Sequence, residues 1–176
     1  MTGKDPDFVH KIVLLGDSNV GKTSLVQRYV YDSLSPDVGR TIGAVLHVKK
    51  IELDGVVHKQ VIWDLGGQES FAELREQYCA NSSAALFVFD RTRLETFQNI
   101  DEWLTALYSS AGRIPVIAVE NKIDLESVIT SAQIQGMLEA RELIHLQTSA
   151  VENTNVNSAF REIVLKIVSE RRKKKE

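Results

Sequence analysis

The stretch Gly16-Asp17-Ser18-Asn19-Val20-Gly21-Lys22-Thr23 constrains this chain more than any other part of it. It follows an apolar run, Val9–Leu15, that reads as a buried strand, and it opens a segment of helical period, Lys22–Val30. The pattern G-x-x-x-x-G-K-[ST] in that setting makes a phosphate-binding loop. A turn this tight aims its backbone N–H groups inward as an anion nest, and the start of the helix adds positive potential. Lys22 then reaches the β- and γ-phosphates as a point charge, and the Thr23 hydroxyl is a ligand for Mg²⁺.

The rest of the chain supplies the sheet that such a loop needs. Ala44–Leu53 and Val56–Trp63 are strand-like and are joined by Asp54-Gly55, a pair that favours φ > 0 at both positions and marks a hairpin. Ala84–Phe89 and Pro115–Val119 are further apolar strands, each running into a polar cluster, and Leu143–Gln147 is the last. Between them, Glu95–Ser109 sets Phe97, Ile100, Leu104 and Leu107 near one helix face. Thr130-Ser131-Ala132-Gln133 has the form of a capping box. Val156, Ala159, Phe160, Ile163, Val164 and Ile167 form an amphipathic stripe. This alternation predicts an α/β fold: a mostly parallel six-stranded sheet with one antiparallel edge hairpin and helices on both faces. In such folds ligands bind beyond the carboxyl ends of the strands, so the informative residues should follow them.

Composition agrees with a single domain over residues 1–176, with flexible residues 1–7 and a basic tail over 170–176. At 43% hydrophobic and 26% charged, the chain is neither disordered nor collagen-like. A net charge of −3 gives no reason to expect a nucleic-acid partner. Cys79, the one cysteine, excludes an intrachain disulfide framework and a zinc cluster, and a reducing, cytoplasmic setting is expected. Apolar runs such as Ile12–Leu15 fall well short of the roughly 18 residues that a membrane span requires. The start, Met1-Thr2-Gly3, has no signal-peptide core, and Thr2 stands where myristoylation needs a glycine.

Three further clusters follow the strands. Asp64-Leu65-Gly66-Gly67-Gln68-Glu69 places a carboxylate for Mg²⁺, a backbone N–H for a terminal phosphate, and Gln68 to orient a water. Asn121-Lys122-Ile123-Asp124 offers an Asp that accepts two N–H bonds from guanine N1 and N2, which adenine does not present. Asn121 can brace the loop, and the Lys122 stem can cover one face of the base. Thr148-Ser149-Ala150 presents a backbone N–H for the guanine O6.

In this order the residues resemble the Ras superfamily of small GTPases from about Phe8 to Ser169, which implies a small G domain of the P-loop NTPase type. Asp17, Ser18, Thr41-Ile42-Gly43, Gln60-Val61-Ile62-Trp63-Asp64 and Phe89-Asp90 look most like Rab proteins. The string Trp63-Asp64-Leu65-Gly66-Gly67-Gln68 looks more like Arf proteins, where Ras and Rab proteins usually carry Ala at the Gly66 position. The resemblance implies a switch that binds GTP or GDP with Mg²⁺ and hydrolyses GTP slowly, in vesicle or membrane traffic or in signalling. It implies Thr23 and Thr41 as ligands of Mg²⁺, Asp64 holding the ion through water, and Gln68 as the catalytic residue. Ser18, Asn19, Val20, Gly21, Lys22, Thr23, Ser24, Thr41 and Gly67 would line the phosphates. Leu34, Asn121, Lys122, Asp124, Ser149, Ala150 and Val151 would surround the guanine. It also implies effectors, a GTPase-activating protein and an exchange factor, acting on a monomer. A membrane enters only through a lipidated tail beyond the sequence given, which would put the protein on the cytosolic face.

The departures carry expectations of their own. Leu34 stands where the family usually packs an aromatic ring on the base, so weaker nucleotide retention is expected. Glu120 replaces a common Gly and Val151 a common Lys, and both are expected to loosen the base site. Asn19 tolerates the left-handed backbone its position demands. Arg40 reads as a solvated loop residue rather than an arginine finger. His10, His47, His58 and His145 show no ligand spacing and read as surface or strand-edge residues. Cys79 and Trp103 read as packing, and Arg171–Lys175 as a solvated helix end. The alternatives are a guanine-nucleotide scaffold with little or no hydrolysis, an Arf-like GTPase, and an ATPase or nucleotide kinase, which Asp124 disfavours.

Overall fold

Successive residues of β1 (Phe8–Leu15) enter opposite faces of one sheet: Ile12 and Leu14 join one apolar cluster, Val13 and Leu15 the other. All four are completely buried, so β1 is a central strand covered on both sides. It pairs in parallel with β3 (Val56–Leu65) and β4 (Ala84–Asp90). Beyond β4 lie β5 (Val116–Asn121) and β6 (Ile144–Gln147), also parallel. β2 (Ala44–Leu53) closes the other edge antiparallel to β3, giving the order β2-β3-β1-β4-β5-β6. Asp54 and Gly55 both have positive φ, 52° and 78°, as the hairpin requires. This is a computed structural model, and it describes residues 4–36, 39–68 and 72–173. Glu69, the first three residues and the last three of the basic tail lie outside the described residues.

α1 (Lys22–Tyr31) and α6 (Val156–Lys173) cover one face of the sheet. α2 (Ala72–Cys79), α3 (Leu94–Gln98), α4 (Ile100–Ala111) and α5 (Ser131–Glu139) cover the other. The apolar stripe of α6 is buried throughout, and Phe160 stacks flat on Tyr29 at 4.1 Å. Thr130 and Gln133 form the expected reciprocal capping box at the start of α5. Cys79 is buried core, as expected. The helix expected over Glu95–Ser109 is instead two helices that meet at Asn99. Asn favours helix ends over interiors, and here its side-chain amide donates to Asp17 Oδ2 at 2.7 Å, which fixes the break. The flexible start expected over residues 1–7 does not extend to Asp7, whose N–H and carboxylate both bond Val57. Among the described residues no helix is long and apolar enough to cross a membrane.

The histidines need a correction. His10 and His58 are neither surface nor edge residues: they are 0% and 3% exposed. Phe8, His58 and His10 form a stack, with ring centres 5.6 Å and 5.1 Å apart, on one face of β1 and β3. His10 Nε2 and His58 Nδ1 share a 2.8 Å hydrogen bond, which one ring donates and the other accepts. Held neutral, an imidazole packs like any small aromatic ring, and periodicity does not reveal that choice. Burial, with Arg171 and His58 adding to it, lowers the His10 pKa to about 4. The unfolded chain therefore binds the extra proton first, and stability is lost as the pH falls from about 6.5 towards 4. A shift of this size corresponds to about 3 kcal/mol. His10→Phe is expected to flatten that part of the stability profile, measured as the urea midpoint between pH 7 and pH 4; a slope unchanged by the substitution would contradict it.

Candidate functional site

The carboxyl ends of β1, β3, β4, β5 and β6 meet around the loop Gly16–Gly21, which joins β1 to α1. Asn19 takes the left-handed conformation expected of it, with φ 63°. Lys22 is 6% exposed, and its ammonium donates back to the carbonyls of Gly16 at 2.6 Å and Asp17 at 2.8 Å. Burial lowers its pKa to about 8 against the opposing pull of Asp64 and Asp17. A buried ammonium facing a cavity of about 210 Å³ favours an anion there. That cavity is lined by Ser18, Asn19, Gly21, Lys22, Thr23 and Ser24, together with Gly39, Arg40, Thr41, Leu65, Gly67 and Lys122. Arg40 is exposed, as expected of a loop residue, yet it borders this cavity.

Asp64, fully buried in β3, gathers two hydroxyls from distant parts of the chain. Thr23 Oγ1 donates to its Oδ2 at 2.6 Å, Thr41 Oγ1 lies 3.4 Å from the same oxygen, and the two hydroxyls are 2.8 Å apart. The other oxygen, Oδ1, is buried with no hydrogen-bond partner among the described residues. Burial pushes the Asp64 carboxyl above its ordinary range, and the Thr23 bond and Lys22 oppose that push. An orphaned carboxylate oxygen beside two hydroxyls is an all-oxygen donor set, which fits a hard divalent cation such as Mg²⁺.

The segment after β3 lies directly on this cluster. Gly66 N–H donates to Gly43 C=O at 2.8 Å, and a Cβ on Gly66 would stand 2.5 Å from the Thr41 carbonyl oxygen. A Cβ on Gly67 would meet the Asp17 and Ser18 backbone at 2.3–2.4 Å. Gln68 follows, half-buried.

On the far side of the loop, Asn121 is 2% exposed and braces two elements. Its Nδ2 donates to Val20 C=O at 2.9 Å, and its Oδ1 accepts from Thr148 Oγ1 at 3.0 Å. Lys122, at φ 66°, pairs with Asp90 at 2.6 Å. Ser149 Oγ donates to Asp124 Oδ1 at 2.5 Å, bringing the two post-strand clusters together. Ala150 is buried and its carbonyl accepts from Arg28, whereas the Val151 side chain is 67% exposed. Leu34 packs half-buried on the apolar cluster beneath α1 and α6. Glu120, the residue expected to loosen the base site, is 0% exposed, and Arg91, His145 and Gln147 donate to its carboxylate.

Sequence reasoning missed what holds the loop from outside. Asp17 Oδ1 accepts from the indole N–H of Trp103 at 2.8 Å, and Arg93 donates to Ser18 C=O at 2.7 Å. The guanidinium of Arg75 in α2 lies 3.9 Å over the Trp103 ring. Trp103 does pack in the core, as expected, but a buried indole also needs an acceptor, and that need was the available signal.

The chain matches known proteins along nearly all of its length. A model of the Ras family matches residues 11–169. Ras-related protein Rab-30 of Homo sapiens is 35% identical over 175 residues, which is 98% of this chain and 86% of that one. Ras-related protein RIC2 of Oryza sativa subsp. japonica is 37% identical over 173 residues, 95% and 80% of the two chains. Ras-related protein RABA5a of Arabidopsis thaliana is 36% identical over 167 residues, 93% and 76%.

The Gly66 contact is open to direct test. Overpacking of this kind costs about 1–3 kcal/mol, so Gly66→Ala is expected to weaken binding of a non-hydrolysable GTP analogue roughly tenfold. GDP binding should change less, since the added methyl displaces Thr41 rather than the phosphate loop. Equal losses for the two nucleotides, measured by titration, would contradict it.

Proposed function

The chain belongs to the Ras family and is a Rab-like small GTPase that binds GTP and GDP with Mg²⁺ and hydrolyses GTP; from that premise we propose which of its residues do the work. Thr23, Thr41 and Asp64 hold Mg²⁺. The observation that carries this reading is the meeting of those three side chains across 18 and 41 residues of sequence, with Asp64 Oδ1 left unpartnered among the described residues. An ion held by these residues would supply positive charge to the phosphates as they react.

Lys22 and the backbone from Ser18 to Ser24 cradle the phosphates, and the Gly67 N–H faces the γ-phosphate. Gln68 orients the attacking water. Asp124 accepts from guanine N1 and N2, Ala150 N–H meets O6, and Lys122 covers a face of the base, with Ser149 holding Asp124. Asn121 braces this loop against the phosphate loop. Leu34 and Val151 border the base. When the γ-phosphate leaves, Thr41 and Gly67 lose their anchor, and residues 39–43 and 66–68 relax. Gln68 alone does not neutralise the transition state, so intrinsic turnover is slow and a partner that supplies positive charge speeds it.

Residues 1–176 make a single G domain, and its effectors and regulators meet the edge strand β2. Val45, Leu46 and Val48 there are 45%, 52% and 50% exposed, and Ile42 in the switching segment just before the strand is 74% exposed, giving a continuous apolar edge. The setting is membrane or vesicle traffic, on the cytosolic face of a membrane.

Two measurements test this. The nucleotide retained on purification should be GDP or GTP. Single-turnover cleavage of preloaded GTP should fall about a hundredfold in Gln68→Leu, with GDP retention kept. Cleavage at the parent rate would remove Gln68 from the reaction.

A further inference from the structure

Asp124 discriminates guanine only if its carboxylate is held at the right height above the end of β5. Ser149 bonds that carboxylate directly, and the backbone on either side of Asp124 is tied to a buried carboxylate that has no part in the nucleotide chemistry. Glu120 is the penultimate residue of β5, with its side chain 1% exposed. Its Oε1 accepts from Arg91 Nε at 2.9 Å, and its Oε2 accepts from His145 Nε2 at 3.0 Å and Gln147 Nε2 at 2.9 Å. The three donors come from the segment after β4 and from β6, the strands on either side of β5.

Arg91 carries that anchorage into the loop. With Nε bound to Glu120, its Nη1 donates to Ile123 C=O at 3.0 Å and Leu125 C=O at 3.2 Å. These two carbonyls flank Asp124. The backbone of Arg91 closes the ring, as its N–H donates to Asn121 C=O at 3.3 Å and its carbonyl accepts from Val128 N–H at 3.0 Å. A planar guanidinium is rigid, so an acceptor on Nε fixes where Nη1 points. Burial alone would raise the Glu120 pKa, but the bonds from His145 and Gln147 and the charge of Arg91 outweigh it and hold the carboxyl below its ordinary range.

We propose that Glu120 and Arg91 form a clamp that sets the position of Asp124 and so determines how well this chain selects guanine. The proposal rests on the reading of Asp124 as the acceptor for guanine N1 and N2. Both are positioning residues: Glu120 acts on the loop through Arg91, and Arg91 acts through the two carbonyls on either side of Asp124. Glu120 here tightens the base site, where the sequence alone suggested loosening.

The test compares GDP with inosine diphosphate, which lacks only the 2-amino group that Asp124 would read. The ratio of their dissociation constants reports the alignment of Asp124, whereas loss of fold stability weakens both alike. Glu120→Gln keeps the shape but puts an NH₂ where an acceptor is needed. Arg91→Lys keeps the charge beside Glu120 but removes the fork. In both variants the GDP preference is expected to shrink, by roughly tenfold where one charge-assisted hydrogen bond is lost. If both nucleotides weaken in step and the ratio stays at the parent value, the clamp is overturned and the cluster serves the fold alone. If the parent chain binds inosine diphosphate as tightly as GDP, the Asp124 reading is overturned, and the clamp with it. Melting midpoints of each variant with saturating GDP show that the chain compared is folded.

Discussion

A buried carboxylate near the end of β3, with one oxygen hydrogen-bonded and the other without a partner among the described residues, governs the rest of this molecule. Asp64 is fully buried, and that burial penalises its charge. Lys22 and the hydroxyls of Thr23 and Thr41 relieve that penalty in part. Breaking one side of such a cluster leaves a charge buried and unpaired, which costs far more than an exposed ion pair is worth. The segment that delivers Thr41 is therefore stable in this position only while the charges at its centre balance. Placing a group whose charge changes during a reaction at that centre converts chemistry into movement of the chain.

The remaining contacts make the frame stiff enough for that conversion. Gly66 and Gly67 let the backbone that follows β3 lie directly against the Thr41 segment and the phosphate loop, so a change at one is felt at the other. From outside, Trp103, Asn99 and Arg93 fix the loop through Asp17 and Ser18. Arg75, stacked on Trp103, ties α2 into the same chain of contacts. On the base side, Asn121 spans from Val20 to Thr148, and the Arg91–Glu120 pair steadies the loop beyond it.

What the sequence disclosed and what it hid divide along a physical line. The phosphate loop, Asp64-Leu65-Gly66-Gly67, Asn121-Lys122-Ile123-Asp124 and the Asp54-Gly55 turn are local: each is a run whose chemistry depends on its own backbone. Strand alternation and the stripe of α6 were legible for the same reason. The bonds from Asn99 and Trp103 to Asp17 cross 82 and 86 residues, and no local pattern encodes them. The break at Asn99 was invisible because its cause lies in that distant partner. His10 and His58 were misplaced because a neutral imidazole pair is an apolar unit only once both members are present. Glu120 looked like an intrusion because its three donors come from neighbouring strands.

The balance at Asp64 is most directly exposed by the rate at which bound fluorescent GDP leaves, measured with and without EDTA in the parent chain and in Thr23→Val. The expected result is that chelation speeds release from the parent and has no further effect on Thr23→Val, whose cation site lacks the hydroxyl that bonds Asp64. The same acceleration by EDTA in both chains would contradict the placing of the cation at Thr23, Thr41 and Asp64.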